Sequence, residues 1–171
     1  MKGEQEMEII QVIGYKNSGK TTTAIALINY LSKQGITVAS LKHHGHGGIP
    51  LSLDSKDSSK HHQAGARLSG VEGAGLFQLM KQEPWELEQL IAIYKLMGVE
   101  VLIIEGFKKE DFKKIVMINK EEELALLEQT TNIIAAVTNL PLKATTYPIF
   151  KTSELTQLCE WIYANYRQGN N

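Results

Sequence analysis

The chain has 171 residues, with 18 Lys plus Arg against 19 Asp plus Glu, a formal net charge of −1 and 43% hydrophobic residues. That length predicts one domain with a sizeable core, and the near-neutral balance argues against nucleic acid or an acidic membrane surface as a partner. The longest apolar runs, residues 101–104 and 133–137, fall far short of the ~20 residues that cross a bilayer. The single cysteine, Cys159, and a polar N-terminus without a signal-peptide core point to a cytoplasmic setting.

In chain order, residues 1–7 are expected to form a disordered leader and residues 8–167 a single domain. A β-branched strand at 8–13 ends at Gly14. From Lys20 a helix follows, with Ala24, Leu27, Ile28 and Leu31 on one face and Gly35 as its stop. Residues 36–41 read as a second strand, giving a unit of βαβ size. Residues 42–66 lack apolar periodicity apart from a short helix around 60–66, and long polar connections in compact domains tend to be functional. Alternation at 74–80 predicts a strand paired with 66–71 across a turn at Glu72–Gly73.

Pro84 opens a helix with Leu87, Leu90, Ile91, Tyr94 and Met97 on one stripe, stopped by Gly98. Residues 99–104 form a near-continuous apolar run, as in a parallel strand covered on both faces. Then come a strand at 115–118, a helix at 121–127, strands at 133–137 and 148–150, and a closing helix at 153–166. That last helix turns Leu155, Leu158, Cys159, Ile162 and Tyr166 inward. The alternation of strand and helix predicts an α/β layered fold around a mostly parallel sheet flanked by helices, with a β-hairpin excursion around 66–80.

The segment from Gly14 to Thr21, Gly-Tyr-Lys-Asn-Ser-Gly-Lys-Thr, fits G-x-x-x-x-G-K-[ST] at every fixed position and lies between a predicted strand and a predicted helix. Glycines let the backbone wrap an anion, and the helix beginning at Gly19 offers free amides and a positive dipole end. Gly14, Asn17, Ser18, Gly19, Lys20, Thr21 and Thr22 are therefore candidate nucleotide-binding residues in a P-loop NTPase-like fold. Lys20 would reach the terminal phosphates, and the Thr21 hydroxyl would ligate Mg²⁺. Glu105 ends the apolar run at the place where phosphate-loop proteins put an acid beside Mg²⁺. This makes Lys20 and Glu105 the catalytic candidates, and Thr21 and Glu105 the metal ligands. Guanine-reading Asn-Lys-x-Asp segments follow late strands. Residues 136–141 hold only the Asn, Asn139, which is either a purine contact or a plain turn former.

All five histidines lie at positions 43, 44, 46, 61 and 62. They fit a metal site, an anion site shared with Lys42, Lys56, Lys60, Arg67 and the nearby serines, or a solvated loop. Asp54 and Asp57 add acids to the same loop.

The ordered series GYKNSGKTT from Gly14, KHHG from Lys42, KDS from Lys56, His61 with the Ala-Gly-Ala at 64–66, and EGFK from Glu105 resembles the MobB family of molybdopterin-guanine dinucleotide biosynthesis adaptor proteins. The resemblance runs over residues 8–139. It implies a GTP-binding P-loop fold with Mg²⁺, weak GTP hydrolysis and a homodimer. It further implies a partner, the molybdenum cofactor guanylyltransferase, with a molybdopterin precursor as a further ligand. Lys42, His43, Asp57, Ser58 and His61 would line the family's signature loop. Two segments depart from the pattern: the turn before KDS is shortened to Asp54-Ser55, and the base-reading segment is atypical. A metallochaperone-type GTPase using the histidines and a small-molecule P-loop kinase are the alternatives.

Overall fold

The computed structural model describes residues 6–43, 56–142 and 145–169, with the backbone alone for 56–59. Its elements in chain order are β1 (Glu8–Gly14), α1 (Lys20–Lys33), β2 (Val38–Lys42), α2 (Lys56–Gln63), β3 (Leu68–Gly73), β4 (Leu76–Lys81) and α3 (Leu87–Leu96). They continue with β5 (Val101–Glu105), β6 (Lys113–Met117), a 3-10 turn at Glu121–Glu123, α4 (Ala125–Glu128), β7 (Ile133–Val137), β8 (Ile149–Phe150) and α5 (Leu155–Gly169). The chain divides into two compact units, Met1–Gly45 with Tyr94–Asn171, and His46–Ile93.

The first unit is built on a six-stranded sheet in the order β2-β5-β1-β6-β7-β8. Every strand pairs in parallel with its neighbours. β1 has β5 and β6 as neighbours, so strands about a hundred residues apart in sequence finish at one edge of the sheet. Because side chains alternate across a strand, Ile10 and Val12 face one way and Gln11 and Ile13 the other. Ile10 and Val12 join Val101, Ile103, Ile115, Met117 and Val137 in a core closed by Leu27 and Leu31 of α1 and Leu158, Cys159 and Ile162 of α5. On the opposite face Ile13, Val116 and Ile118 pack with Leu126 of α4. α1 stops as its sequence predicts: Gly35 at φ 80 donates to Ser32 O, and the Ile36 amide reaches back to Leu31 O. Burial pushes the Cys159 thiol up to about 11, so it stays protonated at neutral pH. Residues 1–5 of the expected leader lie outside the described residues, while Met7 is buried.

Two polar side chains occupy the second face of the sheet. Gln11, fully buried, donates from Nε2 to the carbonyls of Gly106 (3.2 Å) and Phe107 (2.8 Å). Lys114, only 1% exposed, donates from Nζ to Phe112 O at 3.1 Å and Thr131 O at 3.2 Å, with Asp111 at 3.9 Å. Burial lowers the Lys114 pKa, and Asp111 and Glu110 oppose that shift. Both residues hold the connection from β5 to β6 by its backbone.

The second unit contains α2 beside an antiparallel β3–β4 hairpin. The hairpin stands where the excursion is expected, but the turn is Ala74-Gly75, at φ 49 and 79, and not Glu72–Gly73. A two-residue turn of this hand needs positive φ at both positions, and Gly75 supplies the second at no steric cost. α2 begins four residues before the expected 60–66 helix. In α3, Leu87 is buried, but Met97, assigned to its inward stripe, is 72% exposed beyond the helix end. β2 starts two residues later than expected and continues through Lys42, which puts that lysine on the strand's last position.

Replacing Lys114 by Met keeps much of the volume and removes the donor to two partly buried carbonyls. Urea unfolding is expected to show a loss of about 1–3 kcal/mol. An unchanged midpoint would mean that the ammonium contributes nothing to holding the β5–β6 connection.

Candidate nucleotide site

β1 delivers its last residue, Gly14, against β6 with no space for a side chain. A Cβ there would stand 2.9 Å from Met117 Cβ and 2.5 Å from Ser18 Oγ. From that contact the loop rises through Asn17, held at φ 60, and Gly19, held at φ 90 and serving as the residue before α1. Asn tolerates the left-handed region and Gly occupies it freely, which explains their places in the motif. Ser18 is 2% exposed, its amide bonds to Tyr15 O at 3.3 Å, and its hydroxyl has no protein partner. α1 has no side-chain cap at its N-terminus and no acidic residue in its first turn, so its leading amides and positive dipole end suit an anion.

Around this helix end the side chains are charged. The Lys20 ammonium donates to the Tyr15 carbonyl within the loop. Burial lowers its pKa; Glu105 opposes this, while Lys108 and Lys42 push the same way as burial because they bring positive charge close by. Lys108 itself sits 4.5 Å above the Tyr15 ring. Glu105, its side chain 12% exposed, accepts the Thr21 hydroxyl at 2.9 Å through Oε2 and pairs with Lys42 at 3.1 Å through Oε1. Lys42 also donates to Thr21 Oγ1 at 3.3 Å. Thr22 is exposed one residue further along α1.

Thr21 and Glu105 offer a hydroxyl and a carboxylate side by side at the helix start. Mg²⁺ takes hard oxygen donors and completes its shell with water and phosphate, so this pair fits it.

The backbone of the β2 exit is fixed as well. His43 donates its amide to Glu105 O at 2.9 Å, and its ring lies 4.3 Å from that of Phe107. Gly106 permits this approach, since a Cβ there would stand 3.0 Å from His43 Cβ. The structure therefore brings together Gly14, Asn17, Ser18, Gly19, Lys20, Thr21, Thr22, Lys42, His43 and Glu105 in the first unit. Asp57, Ser58 and His61 belong to α2 in the second unit, with His61 exposed. His44, His46, Asp54 and Ser55 lie outside the described residues. Among the described residues no three His, Cys, Asp or Glu side chains converge as a metal site would need.

Asn139, at the end of β7, exchanges hydrogen bonds with Thr152: its Nδ2 stands 2.8 Å from Thr152 Oγ1, and its Oδ1 accepts the Thr152 amide at 3.2 Å. It is engaged as the turn former that its sequence neighbourhood also allows. Three contacts were not legible from the motif. Gln11 anchors the backbone just after Glu105, Lys108 covers Tyr15, and Asn119 donates from Nδ2 to Asn17 O at 3.4 Å. A polar residue inside the apolar run of β1 is the one signal that points to Gln11.

The family described as Molybdopterin guanine dinucleotide synthesis protein B, MobB, matches residues 9–139. The chain belongs to this family. Among similar proteins, the Bacillus subtilis (strain 168) "probable molybdopterin-guanine dinucleotide biosynthesis adapter protein" is 44% identical over 130 residues, covering 75% of each chain. The crystal structure of Bacillus subtilis MobB superposes with a TM-score of 0.77 at 36% identity, over 92% of this chain and 97% of that one. A MobB homologue from Bacillus stearothermophilus gives 0.76 at 30% identity, over 95% and 99%. These solved MobB structures match the parallel layered fold expected from the sequence. No helix among the described residues is long and apolar enough to cross a membrane.

Gly14→Ala is expected to abolish measurable triphosphate binding by titration calorimetry and to lower stability by several kcal/mol, about the scale of overpacking and strain in a closed site. Wild-type affinity in this variant would mean that the loop does not depend on the contact with Met117.

Proposed function

We propose that this chain is a GTP-binding adaptor of molybdopterin guanine dinucleotide synthesis, holding GTP and Mg²⁺ in support of a partner guanylyltransferase. The observation that carries the reading is the convergence at one sheet edge of an uncapped helix N-terminus, the Lys20 ammonium and the Thr21–Glu105 oxygen pair. Amides and an ammonium suit phosphate; a hydroxyl beside a carboxylate suits the hard cation that travels with it. Family membership supports the choice of pathway and the guanine base. Asn139 would meet a purine edge only by leaving Thr152, so the base preference is argued from the family and not from that side chain.

In this reading Lys20 leaves the Tyr15 carbonyl to meet the β- and γ-phosphates, while the loop amides replace the phosphate's water. Bound Mg²⁺ would supply charge neutralisation, held by Thr21 and Glu105. Lys20 and Glu105 are the residues through which any hydrolysis would run. That turnover is expected to be weak, because neither arginine belongs to the loop, helix start and strand ends that build the site. The arginines are Arg67, paired with Glu83 at 3.7 Å in the second unit, and Arg167 in the last turn of α5. We assign Lys42 and His43 in the first unit, and Asp57, Ser58 and His61 in the second, to contacts with the partner or a molybdopterin precursor, and expect a homodimer acting in the cytoplasm.

Calorimetric titration with GTP tests the reading. Lys20→Ala is expected to raise the dissociation constant at least about tenfold, the effect of removing one charge-assisted phosphate contact. An unchanged constant would refute the phosphate-loop assignment.

A further inference from the structure

We propose that the Lys42 ammonium is a built-in counter-ion for the Thr21–Glu105 pair, occupying the Mg²⁺ position in the metal-free protein and being displaced by Mg²⁺ on loading. The proposal rests on the phosphate-loop reading above and extends it to a residue for which that reading offers no metal role. Three distances define the arrangement. Lys42 Nζ stands 3.1 Å from Glu105 Oε1 and 3.3 Å from Thr21 Oγ1, and that hydroxyl stands 2.9 Å from Glu105 Oε2. The ammonium thus contacts the same two groups that a divalent cation would need.

One position cannot serve both cations. Mg²⁺ draws oxygen ligands to about 2.0–2.1 Å and brings its own water shell, which leaves no place for an ammonium on the same oxygens. Like charges at that separation also repel strongly.

The partners differ in freedom. Glu105 is largely buried, and its strand is fixed: Lys42 and Glu105 are register partners on β2 and β5, and the His43 amide closes on Glu105 O at 2.9 Å. The Lys42 side chain is 61% exposed, so it can swing into solvent without opening the core. The backbone stays in place and the side chain yields. Without metal, the same ammonium keeps Glu105 from facing the incoming phosphates as a bare negative charge.

The consequence is antagonism between Lys42 and Mg²⁺, read as the ratio of triphosphate dissociation constants measured in EDTA and in Mg²⁺. The probe is the non-hydrolysable guanosine 5′-(β,γ-imido)triphosphate, titrated calorimetrically into wild type, Lys42→Met and Lys42→Arg. In Lys42→Met the ratio is expected to rise by about tenfold, through weaker metal-free binding with metal-supported binding held or improved, within the usual range of coupling between two sites. Lys42→Arg keeps the charge and should stay near the wild-type ratio. Equal weakening of Lys42→Met with and without metal would make Lys42 an ordinary phosphate ligand and overturn the proposal. So would a ratio that rises as far in Lys42→Arg as in Lys42→Met. A wild type that binds no triphosphate in either buffer would instead bring down the phosphate-loop reading, and this proposal with it.

Discussion

The approach of Gly14 to Met117 is the contact on which the path of the phosphate loop depends. β1 can finish beside β6 only because its last residue has no side chain, and the loop that follows must then turn over Ser18, whose hydroxyl fills the remaining space. From there Asn17 and Gly19 enter the left-handed region and α1 begins without a capping side chain. The close approach, the turn and the open helix end are one geometric consequence. A loop freed from Met117 would lose the contact that sets its path into α1, and the helix end would be satisfied by water or by its own neighbours.

Charge is arranged around that helix end with Glu105 and Glu123 acting on Lys20 against the ammonium groups of Lys42 and Lys108. Lys42 and Lys108 are close enough to act with burial in lowering the Lys20 pKa, while Glu105 opposes them. Each lysine has a local substitute for an anion: Lys20 takes the Tyr15 carbonyl, Lys108 the Tyr15 ring, Lys42 the Glu105 carboxylate. The carbonyl and the ring are weaker partners than a phosphate oxygen, and the carboxylate is the one that Mg²⁺ would claim. Tyr15 is engaged by two of the three ammonium groups. Its carbonyl and its ring point to different lysines, which gives the second residue of the loop a role that its motif position, an unspecified x, does not suggest.

Much of this was legible in the sequence, and the limits have physical causes. The strand–loop–helix beginning at Glu8, the helix stop at Gly35, the apolar strand ending in Glu105 and the strand Ile133–Val137 are carried by local signals: periodicity, a left-handed glycine, a continuous apolar run. The turn expected at Glu72–Gly73 falls at Ala74-Gly75 because each pair offers a glycine, and register is decided by the pairing of Gly73 with Leu76. The helical stripe that places Met97 inward continues past the point where α3 ends. Around the site, the contacts without a local signal are those whose partners are distant along the chain. Gln11 meets Gly106, and Asn119 meets Asn17, across about a hundred residues, and only strand order makes those meetings possible.

Gln11 shows how the sheet protects the geometry of Glu105. In the middle of an apolar strand a glutamine costs desolvation unless its amide finds partners; here Nε2 finds two successive carbonyls, those of Gly106 and Phe107, while Oε1 has no protein partner. Those carbonyls belong to the residues immediately after the acid, where Phe107 is held at φ 51, a conformation that a free loop would abandon. Lys114 repeats the device at the other end of the same connection by holding Phe112. The chain therefore secures the segment that follows Glu105 through main-chain atoms, while Lys108, Lys109 and Asp111 stay exposed. A carboxylate that must take Thr21, Lys42 or a metal ion gains its fixed aim from two buried polar residues that touch none of them.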